Sequence, residues 1–525
     1  MLIFETLLVL LGVCVALALF ARKLNVPTAV ALVLGGMVMA LIPGVPHVVL
    51  DPELALALFL PPLLQVSAQR TDWQAFRSHL VPIMLLAIVA VVVTAFAVGV
   101  AARFLMPSLS WWPALALGAI VAPPDAVAAT SVLRAFRIPK RIVTVLEGES
   151  LINDASSLVL YRFAVAATVA GTVSFGHGTA SFFTSALGGG AIGAVLAFAV
   201  VWVLQRLEDP TLEIMVSMLA GFGSFLLGEH FHVSGVLAAV ACGGILGRHQ
   251  LQLTAKTRVE GQTTWQFVEF VLTSLLFVLI GIQLRLILSH LHRYSVSHLL
   301  LVAIGISATL ILSRIVIVFA TFYPVEGLRE ALRTGVFAPP LSYPAVISWA
   351  GMRGVVSLAT ALALPEQFPE RDLIVFLAFC SILATLVLQG TTLGPLIRHL
   401  SVAEDGIETV TPEAVIARKE AATAALDAIT GELAESTNRE LADKLVDEFK
   451  ERVESVELLS SDAEAANSQM SEELELRLKA IAAARNKLGE RRDELDGETF
   501  ATLIQELDLE EEQLNVVLSG PTQPI

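Results

Sequence analysis

Along the first four hundred positions the apolar residues fall in blocks of about 17–25, the length that crosses a hydrocarbon core as helix. They predict thirteen spans, at 2–21, 26–43, 53–67, 80–102, 113–133, 142–171, 183–205, 211–229, 233–247, 263–284, 296–321, 343–363 and 372–397. The third and ninth are short. Past Leu400 the hydropathy collapses, and residues 413–515 alternate Ala, Leu, Glu, Lys and Arg at helical spacing. Leu441, Leu445 and Phe449 form one apolar row there; Leu474, Leu478, Ile481, Leu488 and Leu495 form another, interrupted by Arg485 and Arg492. The interruption argues against a continuous coiled coil, and for short amphipathic helices that fold back or pair across a dimer. The pattern therefore predicts a transmembrane domain over 1–400 and an acidic helical tail over 401–525.

Two of the spans carry breakers at mid-depth. In the fifth, Ala122-Pro-Pro-Asp125 removes two amide donors and exposes carbonyls. In the twelfth stands Gly351-Met-Arg-Gly354. Irregular backbone at membrane depth is tolerated where protein or water surrounds it, and broken helices in corresponding positions of two halves point to a transport site. The two breaks stand seven spans apart, so they correspond if spans 1–6 and 8–13 are inverted repeats.

Composition and charge sharpen this. The chain is 55% hydrophobic with a mean hydropathy of +0.74, outside the range of an ordinary soluble domain. Its net charge of −15 divides unevenly: residues 1–400 hold 22 Lys and Arg against 19 Asp and Glu, and residues 401–525 hold 12 against 30. A nearly neutral membrane domain of +3 thus precedes a tail of −18. With the N-terminus outside, fourteen loop Lys and Arg face inward and four (Arg103, Arg285, Arg293 and Arg371) face outward, which places the tail in the cytoplasm. The N-terminus lacks a basic leader and a small-residue cleavage site, so the first span reads as a retained helix. Cys14, Cys242 and Cys380 lie inside apolar blocks and read as buried small hydrophobes with no disulfide partner.

The chemistry concentrates in Glu147-Gly-Glu-Ser-Leu-Ile-Asn-Asp154, within the sixth span. Residues four apart share a helix face, so Ser150 sits above Asp154 and Glu149 above Asn153. An unpaired central charge costs about 2.5–3.5 kcal/mol on insertion scales, so these groups face a bundle interior or a wet cavity. A cation carrier needs an anionic oxygen that a proton or a cation can neutralise, and Asp154 is the first candidate for it. Ser150 offers a hydroxyl, Asn153 an amide to brace a break, and Asp125 a carboxylate for exposed amides. The bland alternatives are a paired buried charge at Asp154 and a purely structural brace at Asp125. Arg353 is the cation expected to offset buried acid, with Glu149 as its structural partner. Glu213, Glu229, Glu269 and Arg314 are expected at helix ends or in secondary pairs. His230 and His232 lack an obvious third metal ligand, and Gly188-Gly189-Gly190 permits close packing and is no phosphate loop. No catalytic triad, Walker motif or zinc signature appears, so an enzyme is not expected.

The stretch Glu147–Asp154 closely resembles the signature of the monovalent cation/proton antiporter family, which includes bacterial sodium/proton antiporters and the sodium/proton exchangers. Four more stretches resemble it in the same order: Leu60-Pro-Pro-Leu-Leu64, Ala119-Ile-Val-Ala-Pro-Pro-Asp125, Ser274-Leu-Leu-Phe-Val-Leu-Ile-Gly-Ile-Gln-Leu284 and Trp349-Ala-Gly-Met-Arg-Gly-Val-Val-Ser357. The likeness covers roughly residues 1–400. It implies an all-α membrane protein with inverted repeats, two broken crossing helices near mid-membrane, and a homodimer in the cell membrane. It also implies that Asp154 is shared by the proton and the transported sodium, lithium or potassium ion, beside Ser150 and the backbone oxygens of the break. No cofactor and no nucleic acid is implied. Asn153 ahead of Asp154 goes with exchange of one cation for one proton. Three positions depart from the family's pattern: Gln65 to Ala68 are uncharged after the Pro-Pro of span three, Pro124 replaces a Thr, and Thr273 stands where Asn is common.

The function expected is sodium or lithium exchange for protons by alternating access. The alternatives are potassium/proton exchange, a cation channel, or a membrane sensor signalling through the tail. Polar groups gathered at mid-depth favour alternating access over a continuous pore.

Overall fold

The computed structural model describes residues 2–24, 26–42, 52–133, 136, 138–170, 175–289, 295–331 and 340–402, and in the tail 412–433, 444–450, 476–488, 503–504, 506–511 and 514. Among these residues all regular structure is helical. A helix satisfies its own backbone groups, which lipid cannot do for it. In order the helices are α1 (Leu2–Leu24), α2 (Thr28–Leu41), α3 (Pro52–Arg70), α4 (Trp73–Ser78), α5 (Leu80–Met84), α6 (Val91–Leu105), α7 (Trp111–Val121), α8 (Ala126–Leu133), α9 (Lys140–Ala170) and α10 (Phe175–Leu204). They continue with α11 (Pro210–His230), α12 (Gly235–Arg248), α13 (Ala255–Ile282), α14 (Leu284–Ser289), α15 (Val296–Ala331), α16 (Ser342–Trp349), α17 (Val355–Leu362), α18 (Arg371–Ala384), α19 (Gly390–His399) and α20 (Pro412–Leu433).

Each of the thirteen predicted spans coincides with one of these helices or with a pair. The fourth span is α5 and α6, joined by a π-helical turn at Leu85–Ala90; the thirteenth is α18 and α19, joined by another at Thr385–Gln389. The fifth and twelfth are split, α7 from α8 and α16 from α17. The helices pack as two groups. One holds the fourth, fifth, sixth, eleventh, twelfth and thirteenth spans, with α6 against α7, α7 against α9 and α17, and α15 against α6 and α18. The other holds the remaining seven, with α2 against α1 and α13, and α12 against α3, α10 and α11. At the crossing of α2 and α13, Gly36 faces the Val278 carbonyl and Gly281 the Val33 carbonyl, so a side chain at either would push the helices apart. Leu151 and Ala155 of α9 pack with Leu64, Phe225 and Val236 of the second group, so the site-bearing helix lies where the groups meet.

The chain divides into two compact units, Met1–Glu404 and Asp405–Ile525. In the second, Ile481 and Leu514 are buried together with Leu478 and Leu507 beside them, and Arg485 pairs with Asp508 at 2.6 Å and with Glu511. The helix at 476–488 therefore folds against the segment around 506–514, and Arg485 extends the apolar contact with a charged one. Leu441, Leu474, Leu495 and Arg492 lie outside the described residues, as do Arg134, Arg137, Arg293 and Arg333 of the loops.

Candidate functional site

The Pro-Pro pair ends α7 because neither proline can donate the amide that would continue the helix. Asp125 then opens α8, its carboxylate accepting the Val127 amide at 2.8 Å as an N-cap does. On the other side, α16 stops at Trp349 and α17 begins at Val355. The two interruptions cross. The Asp125 amide donates to the Met352 carbonyl at 2.7 Å, so each extended segment partly satisfies the other. At Gly354 the approach is so close that a Cβ would fall on the Asp125 carboxylate.

A broken helix leaves carbonyls at its C-terminal end, and there a cation is favourable. Arg353, 1% exposed, fills that place. Its Nε donates to the Val121 carbonyl at 2.8 Å, one terminal nitrogen to Ala122 at 3.1 Å, and the other to the Gly351 carbonyl. Its own amide donates to the Thr385 hydroxyl at 3.1 Å, in the π-helical turn of the thirteenth span. The expected Glu149–Arg353 pair is thus corrected. Glu149 is held by Arg314 of α15, whose two terminal nitrogens reach its two oxygens at 2.7 and 2.9 Å. Arg314 lies within hydrogen-bond reach of Glu149 as a planar fork, the geometry a carboxylate matches best, whereas the carbonyls of α7 engage the guanidinium of Arg353. Sequence reasoning set Arg314 aside as secondary. The available signal was its isolation as the one charged residue between Val296 and Phe322.

The sixth span brings the remaining candidates to this crossing. Asn153, fully buried, donates from Nδ2 to the Pro124 carbonyl at 2.8 Å and leaves Oδ1 without a partner. The Ser150 hydroxyl accepts the Ala126 amide at 3.3 Å. Ser156, not singled out from sequence, donates to the Ala87 carbonyl in the other π-helical turn. The hydrogen bonds thus join Pro124, Asp125, Ser150 and Asn153 to the crossing, and Asp154 follows Asn153 on the same helix. Asp154 is 7% exposed, and its carboxylate has neither a hydrogen-bond partner nor an ion pair among the described residues. One helix therefore carries two buried carboxylates in different conditions, Glu149 clamped and Asp154 bare.

The three departures from the family pattern are also placed. Gln65 is fully buried and donates to the Ser217 carbonyl at 2.7 Å, tying α3 to α11. Pro124 keeps its carbonyl, which Asn153 uses, and the Thr273 hydroxyl on α13 has no partner. His230 packs edge-on against Phe231. No group of three or more His, Cys, Asp or Glu suited to a resident metal occurs among the described residues.

Comparison with known proteins agrees with this architecture. Residues 8–399 match the family described as "Sodium/hydrogen exchanger, transmembrane". The chain is 32% identical over 505 residues to the "Uncharacterized Na(+)/H(+) exchanger YjcE" of Escherichia coli strain K12, covering 88% of this chain and 89% of that protein. It is 32% identical over 407 residues to the "Sodium, potassium, lithium and rubidium/H(+) antiporter" of Bacillus pumilus, covering 74% of this chain and 61% of that one. Its fold resembles the sodium proton antiporter MjNhaP1 of Methanocaldococcus jannaschii, with a TM-score of 0.61 at 19% identity, covering 77% of this chain and 100% of that one. With three quarters of its length matched and the crossing of broken helices in place, this multi-pass membrane protein belongs to the sodium/hydrogen exchanger family.

Proposed function

We propose that the protein exchanges a monovalent cation, sodium or lithium, for a proton by alternating access at Asp154, with no net movement of charge. The observation that carries this reading is the contrast between Glu149, clamped by Arg314, and Asp154, buried on the same helix with no hydrogen-bond partner or ion pair for its carboxylate among the described residues. A lone carboxylate in a low-dielectric interior needs a neutralising charge, and one proton or one cation supplies it. The two compete for the same oxygens, which couples their movements. Ser150 and the backbone oxygens of the first break stand beside the carboxylate as further cation ligands. Asn153 braces that break through Pro124 and carries no charge, so a single carboxylate turns over per cycle. Asp125 and Arg353 offset the dipoles of the four half-helices and stay in place.

Alternating access requires one helix group to move against the other, and α9 sits on their boundary. The proposal extends to a homodimer. In the spans at Glu5–Leu24 and Phe183–Leu204 only 22% and 28% of an apolar 18-residue window is buried, leaving broad apolar faces for lipid or a second copy. The loop charges support an outward N-terminus and a cytoplasmic tail. Potassium is the second candidate cation, favoured by the name of the Bacillus pumilus relative.

The test is exchange in reconstituted vesicles, followed as cation-induced proton release with sodium, lithium, potassium and rubidium. Asp154→Asn is expected to insert normally and to abolish release for every cation; a near wild-type rate would rule out the shared carboxylate. In the same vesicles an imposed membrane potential is expected to leave the initial sodium rate unchanged, and a steep voltage dependence would show that a second acidic group is transported.

A further inference from the structure

A cavity of about 490 Å³ lies between α3, α10, α11, α12 and α13, within the size range of small-molecule sites. None of Asp125, Ser150, Asn153 and Asp154 lines it, so it is separate from the ion site. Its wall includes Gln69, Gln205, Gln252 and Gln262, a polar lining for a space between membrane helices. Arg70, Glu213 and Arg258 also face it. Arg70 is held by Glu269 at 2.9 Å, and Arg258 donates to the Leu253 carbonyl.

Glu213 differs from both. It is 1% exposed, its Oε2 has no hydrogen-bond partner, and it makes no ion pair among the described residues. Helix capping does not account for it. The start of α11 is already capped by Asp209, whose carboxylate accepts the Thr211 and Leu212 amides at 2.8 and 3.2 Å. A buried carboxylate oxygen without a donor is unfavourable, and a donor entering from the cavity relieves it.

We propose that this cavity binds a primary ammonium group, which donates to Glu213, with the organic body of the ligand enclosed by Trp265 and the glutamine side chains. The size excludes a bare ion as the whole occupant, and Glu213 is the one carboxylate on a wall where Arg258 also makes no ion pair among the described residues. An ammonium supplies both the positive charge and the N–H donor. Two sources carry this group, a free organic amine and the headgroup of phosphatidylethanolamine.

The test uses the full-length protein at neutral pH, where an alkyl amine is protonated. Thermal unfolding is followed during titration with ethanolamine, with choline as the control of equal charge and no N–H donor. A ligand that binds only the folded state raises the melting temperature saturably. Two variants remove the site differently. Glu213→Gln deletes the charge. Gly261→Leu fills the cavity from α13, where a Cβ meets only Ile214 at 3.6 Å, and keeps folding intact if the first variant loses yield. Both are expected to retain sodium/proton exchange. A parallel arm compares nanodiscs of phosphatidylethanolamine with nanodiscs of phosphatidylcholine. A rise with ethanolamine that is lost in the variants supports the site with a free amine as its source. A rise only in phosphatidylethanolamine nanodiscs, again lost in the variants, supports it with a lipid source. An equal shift with choline, a shift that survives in the variants, or no shift in either arm overturns it.

Discussion

At the scale of single residues the site is an exercise in partnering buried charge. Arg314 and Glu149, 4% and 1% exposed at their side chains, satisfy each other bidentately. Removing one partner of such a pair leaves the other uncompensated and costs about 3–5 kcal/mol, more than the pair itself contributes. Glu149→Gln and Arg314→Gln are each expected to lower the melting temperature sharply, and the double variant to recover much of the loss. Glu149→Gln combined with Arg353→Gln is expected to show near-additive losses, because Arg353 serves the Val121, Ala122 and Gly351 carbonyls instead. Unfolding of these four variants and of Arg353→Gln alone, in detergent, decides it; recovery in the Arg353 combination would reassign the partner.

At the scale of elements the two interrupted spans work as one unit. Each break exposes groups that the other covers, and both are tied to π-helical turns, through Thr385 in one case and through Asn153 and Ser156 to Ala87 in the other. Such turns widen a helix by one residue and free local carbonyls, and they recur at functional sites. Gly354 is where the crossing is tightest. Gly354→Ala is expected to displace the Asp125 carboxylate from the Val127 amide, slowing exchange and lowering stability together. Gly190→Ala, where a Cβ meets nothing within 4 Å, is the matched control and is expected to change neither. Equal exchange rates for the two variants in vesicles would show that the close contact at Gly354 does not matter.

At the scale of the whole molecule, apolar side chains such as Phe104, Val195 and Val316, 84%, 72% and 65% exposed, face outward, and charged groups such as Glu149 and Arg353 are buried, the reverse of a soluble domain. The tail follows soluble rules, with small apolar contacts and charge pairs at its surface. Its net charge of −18 is repelled by anionic lipid and attracted to basic loops or to a second copy. Deleting residues after Val402 is expected to leave exchange intact and to shift its pH dependence. Raised ionic strength is expected to mimic the deletion, because exposed charge contacts fade beyond a Debye length of about 8–10 Å. Superimposable exchange–pH curves for full-length and truncated protein would reduce the tail to an appendage, and loss of all exchange would make it part of the fold.

The sequence by itself determined the spans, the two breaks and the polar cluster around Asp154. These are local matters: an apolar block long enough to cross lipid must be helix, and Pro-Pro must interrupt one. Among the described residues, eight helices are long and apolar enough to be recognised by length and composition alone. The remaining spans include α3, α9 and the split twelfth, and these bury Gln65, Glu149, Asn153, Asp154 and Arg353. Motif and context revealed them, since a polar group at membrane depth must face inward. Tertiary structure decided the partners. Glu149 lies 165 residues from Arg314, and Arg353 lies 232 from the Val121 carbonyl, distances over which spacing along the chain carries no information. Both arginines are long, always charged and able to reach a carboxylate or a carbonyl. Which one meets the glutamate depends on how α9, α15 and the α16–α17 break pack, and that geometry leaves Asp154, on the same helix as the clamped Glu149, without an ion pair among the described residues.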